Sequence, residues 1–73
     1  MISYKPFLKL LIDRELKKKD IIETGILSKA TINKMNSNKY VSLEIIDKLC
    51  KYLSCEIKDI VEYISDENNS TNP

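Results

Sequence analysis

Gly25 is the only glycine in this 73-residue chain, and it lies between two short blocks of apolar residues at helical spacing. Isoleucine, leucine and lysine dominate, and few turn-forming residues interrupt the body. Such a chain favours short helices joined by tight connections. Gly25 marks where one helix must stop, because glycine tolerates the positive φ of a helix C-terminal turn.

Five helices follow from the spacing. Pro6 suits a first helical turn, where its missing N–H costs nothing. Leu8, Leu11, Ile12 and Leu16 then recur at helical intervals, which predicts a first helix over residues 6–15 with those side chains inward. Residues 20–24 read as a second, short helix with Ile21 and Ile22 inward and a first turn starting at Lys18. Lys17 before it is a poor N-cap, about 1 kcal/mol worse than serine or threonine. Ser28 is a good N-cap for a third helix over residues 28–37. On a 100° wheel Ser28, Thr31, Ile32 and Met35 share one side, while Lys29, Ala30, Asn33, Lys34 and Ser37 share the other. That segment is a helix with two inward anchors and a polar outer face.

Residues 36–40 are rich in turn formers and end it. Ser42 caps a fourth helix with Glu44 in its first turn and an apolar stripe of Ile45, Ile46, Leu49, Cys50 and Leu53. Residues 56–64, with Ile57, Ile60, Val61 and Ile64, read as a fifth helix or a helix running into a short strand. The ends "MISY" and "VEYI" alternate in a β-tolerant way and are able to pair as two short strands. From Ser65 the chain reads "SDENNSTNP", which offers nothing to bury and is expected to be disordered. The expectation is one all-α domain over residues 1–64 and a tail over 65–73.

Composition closes off several functions. Hydrophobic residues make up 42%, enough for a folded globule rather than disorder. No apolar run reaches the roughly 18 residues that span a bilayer, and no signal peptide is evident, so a cytoplasmic protein without membrane contact is expected. No histidine is present to act as a base near neutral pH. No glycine-rich phosphate loop or activated nucleophile is visible either. The chain does not read as an enzyme, and it suggests no cofactor or small-molecule substrate. Cys50 and Cys55, without a histidine partner, read as reduced thiols packed as small apolar groups rather than a metal site. Charge is informative only by position. Residues 1–40 carry nine basic and four acidic side chains, whereas residues 41–73 carry three and seven. One half can attract a polyanion that the other repels.

The segments "KKDIIETGILSKATINKM" and "YVSLEIIDKLCKYLSCEIKDIVEYI", in this order, resemble the helix-turn-helix domains of phage lambda repressor, Cro and their bacterial relatives, the xenobiotic response element family. The resemblance covers about residues 8–64. "MISY" and "VEYI" further resemble a subgroup of lone-domain regulators. Three positions depart from the family pattern. Ile22 stands where a small residue packs the second helix on the third. The turn glycine is one place early, with Ile26 in its usual position. Lysine and serine replace glutamines near the starts of the second and third helices.

The resemblance implies a sequence-specific DNA-binding transcriptional regulator, a repressor in the simplest case, that sets the third helix in the major groove of double-stranded DNA. It makes Ser28, Lys29, Ala30 and Asn33 base readers, lets Lys34 and Ser37 reach bases or backbone, and gives Lys18, Asn38 and Lys39 to phosphates. The residue chemistry agrees. Asn33 can pair with an adenine edge, Lys29 can donate to guanine, and Ala30 admits a thymine methyl. The other reading on the same scaffold is a protein-interaction module, such as an anti-repressor or antitoxin partner. A homodimer is expected, because one such domain contacts few base pairs. Tyr52, Tyr63 and Ile64 are its interface candidates, with Ile57 and Ile60 turned into the core.

Overall fold

The computed structural model describes residues 1–65. Among them run a strand β1 (Ile2–Ser3), helices α1 (Lys5–Asp13), α2 (Lys18–Glu23), α3 (Lys29–Asn36) and α4 (Leu43–Leu53), a single 3-10 turn at Ile57–Asp59, and a strand β2 (Glu62–Tyr63). The expected fifth helix is therefore absent, and the described residues hold four α-helices. The 3-10 turn is opened by Asp59, whose carboxylate accepts the Glu56 N–H at 2.9 Å. It ends at once, because the chain beyond it must extend to meet the amino terminus. β1 and β2 pair antiparallel with Ile2 opposite Tyr63 and Ser3 opposite Glu62, so the expected pairing of the termini is present.

The lone glycine turns out to be one of four left-handed residues that terminate the helices. Glu15, Gly25, Asn38 and Ser54 have φ of 57°, 83°, 57° and 51° and follow α1, α2, α3 and α4 in turn. After α1, α3 and α4 the backbone closes the same double hydrogen bond. Leu16 donates to Leu11, Lys39 to Lys34 and Cys55 to Cys50, each at 2.8–3.0 Å. These bonds satisfy last-turn carbonyls that a helix end otherwise leaves bare. α2 stops differently. The Thr24 hydroxyl donates to the Ile21 carbonyl at 2.6 Å and accepts the Ile26 N–H at 3.1 Å. A Cβ on Gly25 would meet nothing within 4 Å, so glycine is favoured there by its φ and not by crowding.

The core draws on every helix: Tyr4, Phe7 and Leu11 around α1, Ile21 of α2, Leu27 of the turn, Ile32 and Met35 of α3, Ile46, Leu49 and Leu53 of α4, and Ile60. Two inward assignments need correction. α1 begins at Lys5, earlier than expected, and buries Phe7 and Leu11, one turn apart; Ile12 falls off that stripe and is 75% exposed. Leu8 and Leu16 are half-buried. Ile57 opens the 3-10 turn at 57% exposure, and Ile60 alone enters the core from that segment's first turn. The expectation of a disordered tail concerns residues that, apart from Ser65, lie outside those described.

Two side chains lock distant segments. Arg14 donates to the Leu53 carbonyl at 2.6 Å, which ties the end of α1 to the last turn of α4. The hydroxyl of Tyr4, a residue only 3% exposed, donates to the Lys39 carbonyl at 2.7 Å and ties the amino-terminal segment to the loop after α3.

Candidate nucleic-acid interface

α3 is built to be held from below. Ser28 stands at its N-cap in extended backbone, and its Oγ accepts the Thr31 N–H at 3.1 Å. The Thr31 hydroxyl lies 3.0 Å from the same oxygen. Ile32 and Met35, one turn apart, sink into the core. The third side chain on their face, Thr31, is half-buried. Lys29, Ala30, Asn33, Lys34 and Ser37 are all exposed, so the outer face expected from the wheel is present.

α2 is fastened to α3 at both ends. At its start the Asp20 carboxylate accepts the Lys17 N–H at 2.8 Å, which supplies the cap that the lysine side chain cannot. Lys18 then reaches across and donates from Nζ to Asn36 Oδ1 at 3.1 Å, joining the first turn of α2 to the last of α3. Nothing in the sequence pattern signals that link, because both residues are exposed and far apart in the chain. At the far end Ile22, standing where a small residue was expected, is half-buried against the core, while Leu27 in the turn is 2% exposed.

After α3, Asn38 takes the left-handed position, which asparagine tolerates better than most residues. Lys39 is held by its backbone on both sides: its N–H donates to Lys34 and its carbonyl accepts from Tyr4. The Tyr4 hydroxyl pKa is raised, chiefly by burial, against an opposing hydrogen bond with the Val41 backbone. One buried hydroxyl thus fixes the loop that carries Asn38, Lys39 and Tyr40. All nine candidates, Lys18, Ser28, Lys29, Ala30, Asn33, Lys34, Ser37, Asn38 and Lys39, are exposed and belong to α2, α3 or the turns flanking α3. The Ser28 hydroxyl is committed to the cap. Among the described residues, Lys29, Lys34 and Lys39 have no carboxylate at ion-pair distance, so their charge is available to an anion.

The arrangement of α2, a tight turn and an α3 with an open polar face coincides with a family match. The family model of the Cro/C1-type helix-turn-helix DNA-binding domain matches residues 7–66. The chain belongs to this family. A similar solved structure is the transcriptional regulator VanUg, form II, 41% identical in sequence with a TM-score of 0.81; the match covers 86% of this chain and 84% of that one. No curated protein matches the chain.

Other sites are bare by comparison. Among the described residues no group of three His, Cys, Asp or Glu could hold a metal ion, and no helix is long and apolar enough to cross a membrane. Cys50 and Cys55 are free, half-buried thiols packed against the core. Burial, and then the neighbouring Cys50, push the Cys55 thiol from 9.0 up to about 11. A thiol raised this far is a poor nucleophile at neutral pH.

Proposed function

We propose that this Cro/C1-type domain is a sequence-specific transcriptional regulator that reads duplex DNA with α3 in the major groove. The observation that carries the reading is the division of α3, with Ile32 and Met35 buried and Lys29, Ala30, Asn33 and Lys34 exposed on the opposite side. Asn33 and Lys29 read base edges, and Ala30 lets the helix approach them. Lys18 and Lys39, at either side of α3, take phosphates and set the register of the domain on the duplex. The transcriptional role of VanUg supports the regulatory reading. Repression by occupying an operator is the simplest consequence. The regulator acts as a homodimer on two half-sites about one helical turn apart, with Tyr63, Ile64 and Tyr52 as interface candidates.

The test is selection of preferred sites from random duplexes, followed by titration of the winner against the Lys29/Asn33/Lys34 triple alanine variant. A large loss of affinity for the variant is expected. Equal affinity would remove α3 as the reader. Failure of the wild type to bind any duplex at low salt would favour the protein-interaction module on the same scaffold.

A further inference from the structure

The loop between α3 and α4, residues 37–42, is supported in two different ways. Its first half leans on α3. The Ser37 N–H reaches Asn33 and Lys34, the Asn38 N–H reaches Met35, and the Lys39 N–H donates to Lys34 at 2.8 Å. Beyond Lys39 that support stops. Among the described residues, neither the N–H nor the carbonyl of Tyr40 or Val41 bonds to other backbone. The next backbone bond, from Ile45 to Ser42, belongs to the first turn of α4. Packing over this stretch comes from half-buried Val41, since Tyr40 is 80% exposed.

A side chain from the amino terminus fills the gap. Tyr4, 35 positions before Lys39, donates from its hydroxyl to the Lys39 carbonyl at 2.7 Å and also hydrogen-bonds with the Val41 backbone. It therefore spans Tyr40 and grips the loop at two points. Its ring is buried, and its own carbonyl accepts the Leu8 N–H at 3.2 Å in the first turn of α1. The anchor is thus stiff at its root, and a tyrosine side chain adds only two rotatable bonds. Burial alone does not ask for the hydroxyl, because Phe7 in the same core is buried without one. A buried hydroxyl is unfavourable unless it is bonded, and both partners here lie in the loop after α3.

We infer that Tyr4 is a positioning residue for duplex binding: its hydroxyl sets the backbone of the loop after α3 so that Lys39 meets a phosphate while α3 lies in the groove. The inference rests on the regulator reading above and adds to it a buried residue that does not itself touch DNA. Lys39 is bonded on both sides, through its N–H to Lys34 of α3 and through its carbonyl to Tyr4. The first bond ties it to the reading helix, and the second stops it from swinging about that tie. A lysine side chain is long and flexible, so the placing of its backbone decides how many of its conformers reach one phosphate. Phosphate contacts fix register and carry no sequence information. Loss of the Tyr4 hydroxyl should therefore weaken all duplexes alike, without changing which one is preferred.

The experiment titrates the selected duplex and a scrambled one with the wild type, Tyr4→Phe, Lys39→Ala and the double variant at several salt concentrations, with urea denaturation of each. Phenylalanine keeps the ring and its packing. Tyr4→Phe is expected to weaken both duplexes equally, about two- to tenfold, the net worth of one hydrogen bond written as a ratio. Its salt slope should become shallower, by no more than the roughly 0.9 that loss of one phosphate contact gives Lys39→Ala. In the Lys39→Ala background Tyr4→Phe should change nothing further, whereas a hydroxyl that served stability alone would weaken both backgrounds equally. Para-aminophenylalanine in place of Tyr4 returns a donor to the same point and should restore affinity and slope. Wild-type affinity in Tyr4→Phe, or independent losses in the two single variants, overturns the inference. So does failure of Tyr4→Phe to fold, which would give the hydroxyl to the fold itself. A wild type that binds no duplex removes the regulator reading and this role with it. A wild type that binds, with Tyr4→Phe its equal, removes the positioning role alone.

Discussion

α3 and α4 start in the same way and serve opposite ends. Each has a serine N-cap in extended backbone whose Oγ accepts the N–H three residues on, Thr31 in α3 and Ile45 in α4. Each ends in a left-handed residue, Asn38 or Ser54, that closes the last turn. Between those ends they diverge. α4 is 11 residues long and sinks Ile46, Leu49 and Leu53, with Ile45 and Cys50 half-buried beside them. α3 has eight residues and only Ile32 and Met35 fully inside. α4 therefore is held by its stripe and α3 by its ends. A helix that leaves most of its circumference exposed cannot rely on burial, and the caps, the Lys18–Asn36 bond and the Tyr4–Lys39 bond supply what packing does not.

The largest effect that tests this contrast is Leu49→Ala. Leu49 has no exposure, and emptying such a site costs about 2–5 kcal/mol, a large share of the stability of a domain this small. Urea denaturation should show the whole domain unfolding earlier in one transition. On α3 the corresponding large effect belongs to binding instead. Lys29→Ala and Asn33→Ala should each weaken a preferred duplex by about 1–3 kcal/mol if they read bases, with the urea midpoint almost unmoved, as exposed substitutions usually leave it. A midpoint shift as large as the binding loss would mean that these side chains hold the helix rather than read DNA.

The two caps come next. Ser28→Ala and Ser42→Ala each remove one side-chain acceptor, worth about 1 kcal/mol of stability. Their equality in denaturation is the expected outcome, and their inequality in duplex titration is the sharper one. Ser28→Ala should also weaken binding, because it frays the turn that presents Lys29 and Ala30, whereas Ser42→Ala should not.

The smallest effect is on pH. The Cys55 thiol is raised from 9.0 to about 11, so the fold prefers it protonated. That contribution is complete below pH 9 and is lost as pH rises through 11. Stability should fall across this window, and Cys55→Ala should flatten the fall. The slope of denaturation midpoint against pH for the two proteins is the measurement, and identical slopes would remove Cys55 as its source.

Much of this contrast was legible in the chain. Serine followed by a sparse apolar pair at residues 32 and 35, and serine followed by a dense stripe from residue 45, are local patterns that need no tertiary partner to interpret. Gly25 likewise announced the end of α2. The misreadings lay where helical spacing met long-range demands. Ile57, Ile60, Val61 and Ile64 fit a helix equally well, but β1 takes the chain from Glu62 onward and leaves room for one turn only. Ile12 fits the stripe of α1 until its phase is set by Phe7 and Leu11. Glu15 and Ser54 accept left-handed backbone that their side chains do not favour, because the helix-ending hydrogen bonds around them outweigh a cost of about 1 kcal/mol. For the candidate interface, the outward face of α3 could be read from spacing alone. The Tyr4 and Lys18 bonds could not, since each joins residues at least 18 positions apart.

The pairing of the termini bears on the order in which the molecule assembles. The Met1 amino group donates to the Ile64 carbonyl across 63 positions, and the Ile64 N–H returns the bond to Met1. Closing an unstructured loop of that length costs about 4 kcal/mol by chain statistics, more than the roughly 1–3 kcal/mol that the two Met1–Ile64 bonds return. The ribbon therefore cannot seed folding. It is expected to form after α1 and the 3-10 turn have packed and drawn the ends together, and to open first when the protein fluctuates. In hydrogen exchange the Ile64 amide should lose its protection by local opening, long before Leu49 does, so the ribbon marks the last step of folding and the weakest seam of the finished domain.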